Sequence, residues 1–100
     1  MPPFNASNKI IQKIRDLHQV DLQEVREAFY NFDGKMQEEV REEHLRLFPK
    51  LWFISETDNE RRLKVVLYEN GDYLELLTAY DPDEEDLNYY EKLKEKDDRE

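Results

Sequence analysis

Three runs constrain the fold of this chain more than any other feature: "LWFISE" from Leu51, "RLKVVLYE" from Arg62 and "YLELLTAY" from Tyr73. Each is rich in aromatic, β-branched and leucine residues, which suit a pleated, half-buried surface. The breaks between them are turn chemistry. Asn70-Gly71 predicts a type I′ hairpin, because both residues tolerate positive φ. Thr57-Asp58-Asn59-Glu60 makes the preceding turn. Tight turns join antiparallel neighbours, so the runs predict an antiparallel meander of at least three strands. In its middle strand Leu63, Val65 and Leu67 fall on one face, while Arg62, Lys64, Val66 and Tyr68 fall on the other. The first face demands a cover of helices. The second is mixed and is the natural place for a site.

The cover precedes the strands. Ile10, Ile11, Ile14 and Leu17 recur at helical spacing behind Ser7 or Asn8 as cap. His18-Gln19-Val20 interrupts. Asp21, with Glu24 three residues on, then forms a capping-box pattern for a second helix striped by Leu22, Val25, Phe29 and Phe32. Asp33-Gly34 closes it, with glycine expected in the left-handed conformation. Together these predict an α-hairpin. "KMQEEVREEHLRLF", residues 35–48, fits an edge strand or a short charged helix; the spacing of Met36, Val40, His44 and Leu47 leans to the helix, and Pro49 stops it. Beyond the strands, Asp81 as cap, Pro82 at the first helical position and the following acids open a closing helix, striped by Leu87, Tyr90 and Leu93. The expected fold class is α+β: an N-terminal helical hairpin packed on a small antiparallel β-meander, closed by a C-terminal helix. One hundred residues make a single domain, 1–100, with 1–8 as an arm and 96–100 as a tail.

Composition narrows the function classes. The chain has no cysteine, so a disulfide framework and a thiolate metal site are both excluded. Its apolar stretches are too short for a membrane span, and "MPPFNASNK" lacks the pattern of a secretory leader, which points to a cytoplasmic protein. Net charge is −10. Residues 81–100 carry ten acids and four bases, a net of −6 that leaves −4 for the first 80. Such a balance repels phosphate backbones at long range, so any nucleic acid must be held by a local basic patch. A solvated acidic face that maintains solubility is the plainer reading.

Arg61, Arg62 and Lys64 form the cation cluster beside the aromatic-rich sheet. Guanidinium groups there would clamp a phosphate and stabilise charge developing during phosphodiester cleavage; the plainer reading is exposed arginines partnered by Glu56, Asp58 and Glu60. "REEHLR" brings Arg41, His44 and Arg46 close together, with His44 as the proton-exchanging group near neutrality. Its plainer reading is a surface histidine among mixed charges. His18, in the helix-hairpin turn, reads as structural. Tyr68, Tyr73, Tyr80, Tyr89 and Tyr90 are candidates for stacking on bases; Tyr90 belongs to the closing helix's core stripe, and Tyr80, at a strand end, is the better candidate. Glu56 and Asp58 alone do not specify a metal site, and no cofactor is implied.

The order of these features, with "REEH", "LWFISETD", "RLKVV" and "TAYDP" followed by a late tyrosine, resembles the BrnT-like toxins of the RelE-like superfamily over roughly residues 10–93. The resemblance implies helices on one face of a small antiparallel sheet. It also implies a toxin–antitoxin setting, with a DNA-binding antitoxin of ribbon–helix–helix or similar type as partner, in a homo- or hetero-oligomer, and metal-independent RNA cleavage. On this chain the strand cations of that activity match Arg62 and Lys64, with Arg61 adjacent. The strand-end position, usually arginine in an "S-A-R" pattern, is Tyr80 in "T-A-Y", which removes a phosphate-binding cation. The implied catalytic set is His44, Arg62, Lys64 and Tyr80, with Arg41, Arg61 and Tyr68 binding substrate. Two alternatives stand beside it. One is a non-enzymatic acidic module that docks on a basic partner. The other is the label ADP-ribosyl-(dinitrogen reductase) hydrolase carried by similar proteins, whose established bearers resemble much larger all-helical proteins with clustered aspartates and two metal ions.

Overall fold

The computed structural model describes residues 4–39 and 50–98, with side chains as far as residue 96. The elements run α1 (Asn8–His18), α2 (Leu22–Asn31), β1 (Gln37–Glu38), β2 (Lys50–Glu56), β3 (Arg62–Asn70), β4 (Tyr73–Tyr80) and α3 (Glu84–Asp98). The strands form one antiparallel sheet in the order β1-β2-β3-β4. The α+β class, helical hairpin, meander and closing helix all match the sequence-based expectation.

The hairpin packs on the face that carries Leu63, Val65 and Leu67. Those three join Phe53, Leu76 and Ala79 of the sheet with Ile14, Val20, Val25 and Ala28 in one buried cluster. Ser7 caps α1 by accepting from the Ile10 N–H at 3.2 Å, and Gln19 ends it in the left-handed conformation, φ 52°. Glu24 reaches back to accept from the Asp21 N–H at 3.1 Å, the capping box that the sequence predicts. The N-terminal arm has an anchor the sequence reading did not give it. Phe4 is buried in the same cluster, and Asn5 exchanges backbone hydrogen bonds with Leu74 and Leu76 of β4 at 2.7 and 2.8 Å.

Four local expectations are corrected. Gly34 does not take positive φ; a Cβ there would lie 3.1 Å from the Phe32 ring, so glycine serves close approach. Of the Asn70-Gly71 pair only Gly71 has positive φ, 66°, and Asn70 still pairs with Tyr73. The two-residue loop is thus Gly71-Asp72, with positive φ at its first position as in a type II′ turn. The cap of α3 is Asp83 instead of Asp81: its carboxylate accepts from the Asp86 N–H at 2.8 Å, and Asp86 accepts from the Asp83 N–H at 3.3 Å. Residues 37–38 form an edge strand instead of the helix their spacing favoured, and 40–48 lie outside the described residues.

The fifth correction decides where a site can be. Helices occupy both faces of the sheet, not one. Trp52, Ile54 and Val66 are buried on the second face under Tyr90, with Leu87, Tyr89 and Leu93 of α3 packed around them. The Trp52 ring stacks on Tyr89 at 6.0 Å and tilts against Tyr90 at 5.4 Å. A face carrying a tryptophan, an isoleucine and a valine would expose too much apolar surface to water if it stayed open. A bulge at Leu77 helps: β3 pairs Val66 with Thr78 but Leu67 with Leu76, so both Leu77 and Thr78 join the second face while Leu76 and Ala79 stay on the first.

Candidate functional site

Arg61 sits immediately before β3, where β3, the β4–α3 junction and the helical hairpin meet. Its Nε and Nη2 donate to the two Asp81 oxygens, each at 2.9 Å, in the parallel fork that guanidinium and carboxylate favour. Nη1 donates to both Glu24 oxygens at 3.1 Å and to the Gln19 carbonyl at 2.9 Å, and Nη2 also to the His18 carbonyl at 3.3 Å. Hydrogen bonds donated to Asp81 and Glu24 hold the guanidinium well above its ordinary pKa despite partial burial, and Arg61 in turn holds Asp81 below the usual carboxylate range. The group that sequence reasoning assigned to phosphate is a three-way tie within the fold.

Lys64 points into the second face and is 4% exposed. Its ammonium donates to Asp86 of α3 at 2.9 Å and lies 4.6 Å from the centre of the Trp52 ring and 5.6 Å from that of Tyr80. Burial opposes its charge, but the hydrogen bonds with Asp86 and Tyr80 outweigh burial and raise the pKa. Asp86 is the mirror case. Burial pushes its carboxyl up, while Lys64 and the Asp83 N–H bring it to a net lowering. Both partners are therefore charged at neutral pH, fixed to each other between sheet and helix.

The cluster read from the sequence is thus divided. Arg62 is exposed and turns to Glu56 at 3.9 Å, in a groove of about 500 Å³ beside Asn88, Glu91 and Lys94 of α3. Tyr68 shares the Lys64 face but lies four residues away along β3, about 13 Å. Tyr80 is the candidate that does meet Lys64, and it brings an unexpected neighbour: the His18 ring packs on it at 5.5 Å. Arg41 and His44 lie outside the described residues. Lys64 and Tyr80 line a second groove, about 290 Å³, together with Lys13, Lys50, Trp52 and Thr78. Lys13 and Lys50 carried no signal in the sequence, since neither neighbours the strand cluster in the chain. The pairing of Lys64 with Asp86 was equally silent. The spacing of Asp83 and Asp86, by contrast, is a visible capping pattern.

No family model, curated protein or solved structure matches this chain. Function must be argued from the site's own chemistry. Among the described residues, no group of three or more histidines and carboxylates is arranged to hold a metal ion. What the arrangement offers is a charged lysine, a phenol and an imidazole in sequence, and an acidic outer surface.

Proposed function

We propose that this chain is a non-enzymatic interaction module whose acidic surface, centred on the first turn of α3, docks on a basic protein partner. The observation that carries this reading is the internal use of the sheet cations. Arg61 is held by Asp81 and Glu24, and Lys64 by Asp86, so neither is left to clamp a phosphate. At the start of α3, Glu84 and Glu85 are exposed and make no ion pair among the described residues. Their segment, 81–100, is also the most acidic fifth of the chain.

Calorimetric titration with an arginine- and lysine-rich peptide tests this. Binding is expected at low salt and should weaken about tenfold or more as salt screens the surface charges. Glu84→Lys with Glu85→Lys should weaken it further. The same charge change at the β3–β4 hairpin end, Glu69→Lys with Asp72→Lys, should cost much less. Equal losses from the two variants, or no binding at low salt, would overturn the reading.

A second reading is metal-independent RNA cleavage of the BrnT/RelE-like kind, with a DNA-binding antitoxin as partner. It is favoured by one observation: Lys64 and Tyr80 share a groove, and His18 packs on the Tyr80 ring. There His18 would take the proton-transfer part that the sequence offered to His44.

A further inference from the structure

We infer that Asn70 is a site of covalent self-modification, at which water converts its carboxamide to a carboxylate through a cyclic imide formed with Gly71. The inference is independent of the acidic-surface reading, since it concerns the β3–β4 hairpin end and needs no partner.

Two features of the turn carry it. The first is access. Asn70, Gly71 and Asp72 are all exposed. The Asn70 carboxamide makes no hydrogen bond among the described residues, and neither does the Gly71 N–H, which lies in the loop outside the strand ladder. The second is room. Gly71 stands at φ 66°, and a Cβ built on it would meet nothing within 4 Å, so neither a side chain nor a neighbour crowds the ring as it closes. Closure also requires the Asn70–Gly71 peptide to turn toward the Asn70 side chain. The terminal rung of the ladder, Asn70 against Tyr73, opens more readily than its middle.

In the reaction the Gly71 nitrogen loses its proton and attacks the side-chain carbonyl carbon of Asn70. The new carbon–nitrogen bond closes the imide as the bond to the carboxamide nitrogen breaks and ammonia leaves. Water then opens the ring at either carbonyl. One opening restores the main chain with aspartate at position 70. The other leaves the chain running through the former side chain, one methylene longer, with the carboxylate on the main-chain carbon. One water is consumed, one ammonia is released, and nothing is oxidised or reduced. Either product places a carboxylate between Glu69 and Asp72.

The other five asparagines are placed less favourably, since each precedes a residue with a side chain. Asn5 and Asn31 commit their carboxamides, to Glu75 at 3.3 Å and to the Glu56 carbonyl at 2.9 Å. The N–H that follows Asn31 donates to the Phe29 carbonyl, and the one that follows Asn59 donates to the Thr57 carbonyl. Asn8 and Asn88 lie within α1 and α3.

The test is to incubate the purified full chain in buffer for weeks, measure released ammonia, and map each asparagine by peptide mass spectrometry. The Asn70 peptide should gain about one dalton and split into two products, one of them matching the peptide of an Asn70→Asp standard. Asn70 should react at least about tenfold faster than any other asparagine. Gly71→Ala, checked for folding by circular dichroism, should slow the reaction about tenfold or more, because its methyl group crowds the attacking nitrogen. Asn70→Gln, which leaves the glycine and its turn in place, should abolish the fast release of ammonia. No mass gain at Asn70, equal reaction at another asparagine, or a Gly71→Ala rate equal to that of the parent would each overturn the site. Undiminished ammonia release from Asn70→Gln would do the same.

Discussion

A guanidinium presents five donors in a rigid fork, and the Arg61 group directs its fork entirely inward, to two carboxylates and two backbone carbonyls. Lysine at this position would keep the charge and lose the geometry. Arg61→Lys is therefore expected to destabilise the protein by about 2 kcal/mol, the scale of charge-assisted hydrogen bonds lost from a partly buried group. At roughly 4–8 °C per kcal/mol for a domain of this size, its thermal unfolding midpoint should fall by about 10 °C. A melt within a degree of the parent would mean that the tie contributes nothing. The sequence exposed Arg61 as a notable residue but misread its use, for a definite reason. Asp81 looked like a helix cap and Glu24 like half of a capping box. Glu24 is that and an Arg61 partner at once, which no local pattern conveys. Tyr80 was legible because it ends a strand; its packing against His18 depends on how α1 sits against β4 and was not.

Between elements, the Lys64–Asp86 pair joins β3 to α3, and its protonation fixes the pH range of that joint. The folded-state pKa of Asp86 is lowered, so its contribution is complete above about pH 4, the unfolded value, and is lost as pH falls through the folded one. The pKa of Lys64 is raised, so its contribution is complete below about pH 10.4 and is lost as pH climbs through the folded value. The contribution of this pair should be constant between these limits and fall beyond them. Removing one partner strands a buried charge: Asp86→Ala should cost about 3–5 kcal/mol, whereas Lys64→Met with Asp86→Leu should recover most of it. Chemical denaturation of both variants checks this; a double variant as unstable as the single one would argue against charge stranding as the cause. At this scale the sequence was most informative. Period-two strands, turns and capping residues predict the hairpin, meander and closing helix. The face chosen by α3 was missed, although the stripe of Trp52, Ile54 and Val66 that it covers was present in the strand alternation.

For the whole molecule, a net charge of −10 and the inward use of two cations point the same way: Arg61 and Lys64 tie the layers together, while the acids of the first turn of α3, Glu84 and Glu85, meet the surroundings. This is the claim on which the function rests, and the apolar double variant isolates it, because it removes the buried cation while keeping the fold. The direct measurement is RNA integrity and growth after induced expression of the parent chain and of Lys64→Met with Asp86→Leu. Intact RNA and normal growth in both are predicted. RNA degraded by the parent and spared by the folded double variant would contradict the account, and would return Lys64 to the chemistry that its place beside Tyr80 first suggested.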